Sequence, residues 1–229
     1  MSEKIEKMFS GISGKYDKMN NILSLGVHHR WRKKAARIAN PAPGEKILDL
    51  AAGTGDLSIA LSKAAGGKAD IIAADFSREM LKIADIKFSE KNIPAVTRFA
   101  DALELPFADN EFDISTIAFG IRNVDSVADG LKEMARVTKA GGRIVILEFG
   151  QPKGIFKKIY DIYSRKMMPS LGAKIADDEG AYDYLRKTSA DFPCREDFLD
   201  IMRSTGKFSK LSYLQLTFGI AFIYLGVVK

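Results

Sequence analysis

The sequence predicts an α/β fold: a mostly parallel, seven-stranded sheet with helices on both faces and an antiparallel hairpin at its C-terminal end. Three observations predict it. Between Lys46 and Phe149, short apolar runs alternate with stretches of helical periodicity. Runs that are apolar throughout fit strands covered on both faces. At the C-terminal end two β-rich runs stand only Thr217-Phe218-Gly219 apart, which is hairpin spacing.

The elements follow in order. Ile22–Ile38 has the spacing of a helix with a basic face, and Pro41-Ala42-Pro43-Gly44 ends it because proline cannot continue a helix. Lys46–Leu50 is a first strand and Leu57–Ala65 a helix. Asp70–Ala74 is a second strand. It is followed by a helix over Arg78–Ser89, with Met80, Leu81, Ala84 and Phe88 on one face. Val96–Ala100 and Phe112–Ala118 are the third and fourth strands. Val127–Thr138 is a helix for which Ala140-Gly141-Gly142 offers a left-handed C-cap. Arg143–Phe149 is the fifth strand. Gln151–Asp191 breaks the rhythm with helical spacing and five aromatics: Phe156, Tyr160, Tyr163, Tyr182 and Tyr184. We expect an insertion that lids a site. Glu196–Ser204 is a short helix, and Leu211–Leu216 with Ile220–Val228 forms the hairpin. One domain over residues 1–229 is expected, with residues 1–40 as a basic helical arm and residues 151–191 as the lid.

Composition narrows the function classes. Of 229 residues, 46% are hydrophobic and 28% charged, which excludes a disordered chain. The one cysteine, Cys194, excludes an internal disulfide and a multi-cysteine zinc site. The start, Met1-Ser2-Glu3-Lys4, lacks the apolar core of a signal peptide. The longest apolar run, Ile220–Val228, is less than half of the about 20 residues a membrane span needs. The formal charge of +6 is unevenly spread. Residues 1–40 carry nine Lys/Arg against three Asp/Glu, while residues 41–150 carry 13 against 17. An acidic centre argues against a nucleic-acid ligand, and a basic arm suits an anionic membrane surface or an acidic partner.

The chemistry-bearing signals stand at strand ends. Ile47-Leu48-Asp49-Leu50-Ala51-Ala52-Gly53-Thr54-Gly55-Asp56 is strand, glycine turn, then helix. Gly53 and Gly55 let the backbone turn tightly and approach a ligand. The third glycine of a dinucleotide fingerprint would fall at Ser58, so nothing favours a pyrophosphate. Asp49 and Asp56 put carboxylates on either side of the turn, where a diphosphate is repelled and a sulfonium or amino group is welcomed. Asp75, at the end of the second strand, can accept hydrogen bonds from both ribose hydroxyls. Asp101-Ala102 follows the third strand, within reach of an adenine amino group. A ligand with adenine, ribose, a sulfonium and no phosphate is S-adenosylmethionine.

The chain resembles the C-methyltransferase family of ubiquinone and menaquinone biosynthesis. The resemblance covers essentially the whole chain. It is carried by Tyr16-Asp17-Lys18-Met19-Asn20, Ser24-Leu25-Gly26, Arg30-Trp31, Leu105-Pro106-Phe107, Phe119-Gly120-Ile121-Arg122-Asn123, Leu147-Glu148-Phe149, Phe192-Pro193 and Leu216-Thr217-Phe218-Gly219-Ile220. It implies the class I S-adenosylmethionine-dependent methyltransferase fold, which ends in the hairpin inferred above. The expected cofactor-binding set is Asp49, Gly53, Thr54, Gly55, Asp75, Phe76, Asp101, Ala102 and Ala118. Ala118 stands where some family members have a serine, so one hydroxyl contact is missing.

The resemblance implies methyl transfer to a ring carbon of a prenylated quinol, demethylmenaquinol first among the acceptors. The expected catalytic residues are Arg122, Asn123 and Tyr16. Arg122 occupies the place of an arginine proposed as catalytic in the family. Being always protonated, it suits stabilising a phenolate better than taking a proton. His28 and His29 read as surface residues of the basic arm rather than a base, and the reaction requires no metal. The expected location is the cytoplasm, with a peripheral position at the inner face of the cell membrane. Two other readings stay open on the residues: a methyltransferase for another small-molecule or sterol acceptor, and a non-catalytic subunit of this fold that binds a protein or RNA.

Overall fold

A computed structural model describes residues 11, 14, 16–163 and 188–229 of the chain. Its sheet has seven strands: β1 (Lys46–Leu50), β2 (Asp70–Asp75), β3 (Ala95–Phe99), β4 (Phe112–Ala118), β5 (Thr138–Phe149), β6 (Phe208–Leu216) and β7 (Ala221–Val228). Their spatial order is β3-β2-β1-β4-β5-β7-β6. The first five are parallel, and β7 runs antiparallel between β5 and β6. The C-terminal hairpin is therefore present, turning through Thr217–Gly219.

The helices are α1 (residues 16–23), α2 (Val27–Ala39), α3 (Asp56–Ala64), α4 (Arg78–Glu90), α5 (Val127–Val137), α6 (Gly154–Ile162) and α7 (Glu196–Ser204). Strand alternation sorts the core into two faces. Ile47, Ile71, Ile114 and Val145 meet α2 and α3 on one. Leu48, Leu50, Ile144 and Ile146 meet α5 and α7 on the other, where Phe198 and Met202 are fully buried. Helix α4 packs Ala84 and Phe88 against Ala73 and Ile59. It starts where Ser77 accepts the Met80 N–H at 3.3 Å, a side-chain N-cap.

Two expectations change. The helix expected over Ile22–Ile38 is two helices. Leu25 (φ 50°) and Gly26 (φ 72°) turn the chain between α1 and α2. Gly141 and Gly142 do not cap α5, which stops at Val137. They lie inside β5, whose pairing with β4 shifts register between Phe112 and Ile114. Gly141 has φ 76°, and a Cβ on Gly142 would stand 2.7 Å from the Lys139 carbonyl oxygen. A bulge and a cap ask the same freedom of glycine. Of the expected lid, α6 carries Phe156 and Tyr160, and Tyr163 follows it. Tyr182 and Tyr184 lie outside the described residues.

Trp31 faces inward from α2. Its indole N–H donates to Thr217 Oγ1 at 2.8 Å, and its ring packs on Phe119 and Phe149. The opposite face of α2 exposes Arg30, Lys33, Lys34 and Arg37. Among the described residues no helix is long and apolar enough to cross a membrane.

Gly55 marks the tightest approach of the glycine turn to the rest of the fold. Its φ is 82°, and an added Cβ would sit 2.5 Å from Phe88 Cε1. Gly55→Ala should therefore lose about 2–4 kcal/mol, the left-handed penalty plus overpacking. Chemical denaturation of the two proteins measures it, and a loss below about 1 kcal/mol would contradict the packing.

Candidate active site

The crevice opens at the carboxyl ends of the strands, where the chain order reverses. From β1 the chain steps outward through β2 to β3, then returns to pair β4 on the other side of β1. In open α/β sheets such a switch point is where ligands bind. Gly53 after β1, Asp75 and Phe76 after β2, Ala102 after β3, and Ala118 and Asn123 at and after β4 line the crevice, with Tyr16 from α1. Seven of the residues singled out in the sequence thus meet around one space. The walls also include Ser77, Met80, Phe119 and Gly120, which that selection missed. Phe119-Gly120 belongs to a segment already picked out by resemblance, so a signal existed. Ser77 and Met80 carry none beyond the start of a helix.

Asp75 ties two strand ends together. Its Oδ2 accepts the Gly53 N–H at 2.8 Å and its Oδ1 the Ser77 N–H at 2.8 Å. Burial pushes its carboxyl up, against the pull of those N–H groups. Asp75 therefore holds the glycine turn as well as facing the crevice, while Ser77 supplies the α4 cap. Gly53 has φ 55°, and a Cβ there would meet nothing within 4 Å. A Cβ on Gly120 would stand 2.4 Å from that of Ala51, so the β4 wall closes directly onto the turn.

Six expected residues, Arg122 among them, do not line the crevice. Asp49 lies beneath the turn. Its Oδ2 accepts the Ser58 hydroxyl at 2.6 Å and its Oδ1 the Thr116 hydroxyl at 2.8 Å. Burial pushes it up to about 6 despite both bonds. Gly55 abuts Phe88. The Thr54 hydroxyl donates to Asp17. Asp101 accepts the Leu103 N–H at 3.0 Å, which shapes the loop presenting Ala102. Asp56, expected to face a sulfonium across the turn, pairs instead with Lys87 at 2.5 Å.

Arg122 points behind the β4 wall. Its Nη1 donates to Glu148 Oε1 at 2.7 Å and to the Phe119 carbonyl at 2.5 Å. Its Cζ lies 5.3 Å from the Phe149 ring centre. Glu148 is fully buried, and burial pushes its carboxyl up against the attraction of Arg122. Among the described residues, Arg122 Nε and Glu148 Oε2 are buried with no hydrogen-bond partner. Phe119 itself holds φ 58°, a strained value for an aromatic residue. The pair therefore fixes a strained residue of the crevice wall.

His28 is not on the surface. It is buried, its Nδ1 meets Arg32 Nη1, and its Nε2 bonds Asn21 Oδ1 at 3.0 Å. Desolvation and the Arg32 charge lower its pKa to about 3, so it stays neutral. His29 shares the same Asn21 oxygen at 2.6 Å. Arg32, a basic residue of the arm, is buried beside them and near Asp56.

The described lining holds no Lys or Arg. A diphosphate would find no counter-charge there. A neutral aromatic base, a ribose and a cationic centre meet apolar walls, one carboxylate and two glycines that carry no Cβ. The residues fit S-adenosylmethionine.

A family model described as the ubiE/COQ5 methyltransferase family matches residues 1–228. This chain belongs to that family. It is 46% identical over 228 residues to the ubiquinone/menaquinone biosynthesis C-methyltransferase UbiE of Bdellovibrio bacteriovorus, covering 99% of this chain and 97% of the relative. A Shewanella piezotolerans protein of the same name is 40% identical, covering 98% and 90%. Among solved structures, a Thermotoga maritima protein described as a SAM-dependent methyltransferase, possible histamine N-methyltransferase, superposes with a TM-score of 0.68 at 18% identity, covering 97% of this chain and 99% of that one. A SAM-dependent methyltransferase from Aquifex aeolicus gives 0.63 at 17%, covering 86% and 89%. At such identities the likeness is of fold, and the fold is that of these methyltransferases.

Asp49 yields a prediction with a definite sign. Its carboxyl rises from 3.8 to about 6 on folding, so the native state binds the proton more tightly than the unfolded chain. Its contribution to stability is fully present below pH 4 and is lost as pH rises through 6. Asp49→Asn keeps the shape without the buried charge. The stability difference between variant and wild type should shift in favour of the variant between pH 4 and pH 6, by up to about 3 kcal/mol. Paired denaturation curves across that range check it, and a constant difference would contradict it.

Proposed function

We propose that this chain transfers the methyl group of S-adenosylmethionine to a ring carbon of a prenylated quinol in menaquinone biosynthesis, with demethylmenaquinol as the acceptor and ubiquinol precursors as further candidates. The observation that carries the reading is a crevice, lined among the described residues by one carboxylate and no Lys or Arg, at the switch point of a chain that belongs to this family. We take residues 1–229 to act as one methyltransferase domain.

S-adenosylmethionine, when bound, supplies an electrophilic methyl group. Asp75 accepts hydrogen bonds from the ribose hydroxyls while keeping the turn in place. Phe76 and Ala102 flank the base at the β2 and β3 side. The β4 side, with Tyr16 and Asn123, receives the acceptor. A neutral quinol carbon is a weak nucleophile, and loss of the phenol proton makes the ortho carbon electron-rich. The Asn123 amide and Tyr16 hydroxyl can hold the phenolate oxygen. Arg122 supports that end from behind, through the Phe119 carbonyl and Glu148. Held by these residues, the cofactor would give its methyl group to the ring carbon and leave as S-adenosylhomocysteine, and the ring proton would pass to solvent to restore aromaticity.

The quinones that accumulate when the protein is absent test the reaction. The expected result is a naphthoquinone short of one ring methyl, restored to full methylation by the wild-type gene and not by one carrying Asn123→Ala. A fully methylated naphthoquinone pool without the protein would overturn the reading.

A prenylated acceptor resides in a bilayer, and we propose a cytoplasmic protein peripheral to the membrane's inner face. Arg30, Lys33, Lys34 and Arg37 share the outer face of α2, and each Lys or Arg near an anionic surface contributes about 1 kcal/mol. Sedimentation with anionic liposomes should fall at high salt and on replacing these four by Gln. Indifference to both would contradict membrane docking through α2.

A further inference from the structure

Lys87 is a partly buried cation near the crevice that the reaction does not explain. It stands in the last turn of α4 with its side chain 15% exposed. An ammonium has three N–H groups to donate. Three oxygens receive them: Asp17 Oδ2 at 3.0 Å, Thr54 Oγ1 at 3.2 Å and Asp56 Oδ1 at 2.5 Å. The Thr54 hydroxyl then gives its own hydrogen to Asp17 Oδ1 at 2.6 Å. Both oxygens of Asp17 are thus taken, one by α4 and one by the glycine turn. Arg32 Nη1 lies 3.9 Å from the second oxygen of Asp56, so two cations balance two carboxylates. Burial alone would raise Asp56, yet Arg32 and Lys87 hold it below the usual carboxylate range.

The network joins pieces of chain far apart in sequence. Asp17 belongs to α1 and adjoins Tyr16, which lines the crevice. Thr54 adjoins Gly53, which lines it from the other side. One ammonium therefore ties the arm to the turn beside the site. The described remainder of α1 is held by buried Met19 and Leu23 and by the Tyr163 hydroxyl, which donates to the Leu23 carbonyl at 2.9 Å.

We propose that Lys87 is a positioning residue that holds α1 across the crevice and so sets where Tyr16 stands. The inference rests on the cofactor reading of the crevice. Removing the ammonium leaves Asp17 with the Thr54 hydroxyl alone. The arm then loosens, while the sheet, whose core does not include Lys87, keeps its packing. A lysine suits the place because a compact charge with three donors meets three oxygens from three directions, where a planar guanidinium would favour two from one side.

The test compares wild type with Lys87→Met, Lys87→Arg and Asp17→Asn. Amide hydrogen exchange is read for residues 16–23 and for β4, and S-adenosylhomocysteine affinity is read by calorimetry. In Lys87→Met, residues 16–23 should exchange about tenfold faster with β4 unchanged, and the Kd should rise about tenfold, the scale of one charge-assisted clasp. Asp17→Asn should do the same in milder form, and Lys87→Arg should recover part of both effects. Wild-type exchange and affinity in a folded Lys87→Met protein would overturn the proposal. So would a Lys87→Met chain that fails to fold beside an unaffected Asp17→Asn. Failure of wild type to bind S-adenosylhomocysteine would overturn the cofactor reading instead, while the exchange of residues 16–23 still decides the clasp.

Discussion

The crevice depends on the carboxylate of Asp75. Two backbone N–H groups, from Gly53 after β1 and Ser77 after β2, converge on it at 2.8 Å each. Without that anchor the glycine turn keeps only the Ala52 N–H to Ala74 carbonyl bond, at 3.0 Å, on the β2 side, and the floor of the site loses its shape. The cost is a buried carboxylate, which burial pushes toward protonation. A ligand that presents hydroxyl donors compensates that charge, so the feature that shapes the site also selects what enters it.

Behind the walls the fold repeats this arrangement. Asp49 under the turn and Glu148 behind β4 are both buried carboxylates, each engaged by groups from a neighbouring element. Ser58 and Thr116 fix the first, and Arg122 the second. Charged groups ring the crevice from outside while its described lining has one carboxylate and no Lys or Arg. Such a layout suits a cofactor whose cationic centre must not be buried in a site that already repels it.

Much of this was legible in the sequence. Strands β1 and β4 fall on the expected residues, because continuous apolar runs of that length bounded by turn residues leave few alternatives. The residues next to strand ends, Gly53, Asp75, Ala102 and Asn123, were legible because topology alone brings those ends together. The direction of the side chains was not. Arg122 turns from the crevice because Glu148 waits 26 positions on, and His28 is buried because Asn21 and Arg32 surround it. Lys87 gave no signal, since a lysine on the polar face of a helix is the commonest of residues and its three partners lie 31 to 70 positions away. Gly141 in β5 misled because a bulge and a helix cap need the same positive φ.

The most direct measurement is transfer from S-adenosylmethionine carrying a carbon-13 methyl group to a reduced, prenylated demethylnaphthoquinol by the purified chain. The account predicts one labelled methyl on a ring carbon for each S-adenosylhomocysteine formed, seen as a single aryl-methyl signal. Label on a phenolic oxygen, or no labelled quinol while the protein binds S-adenosylhomocysteine, would contradict it.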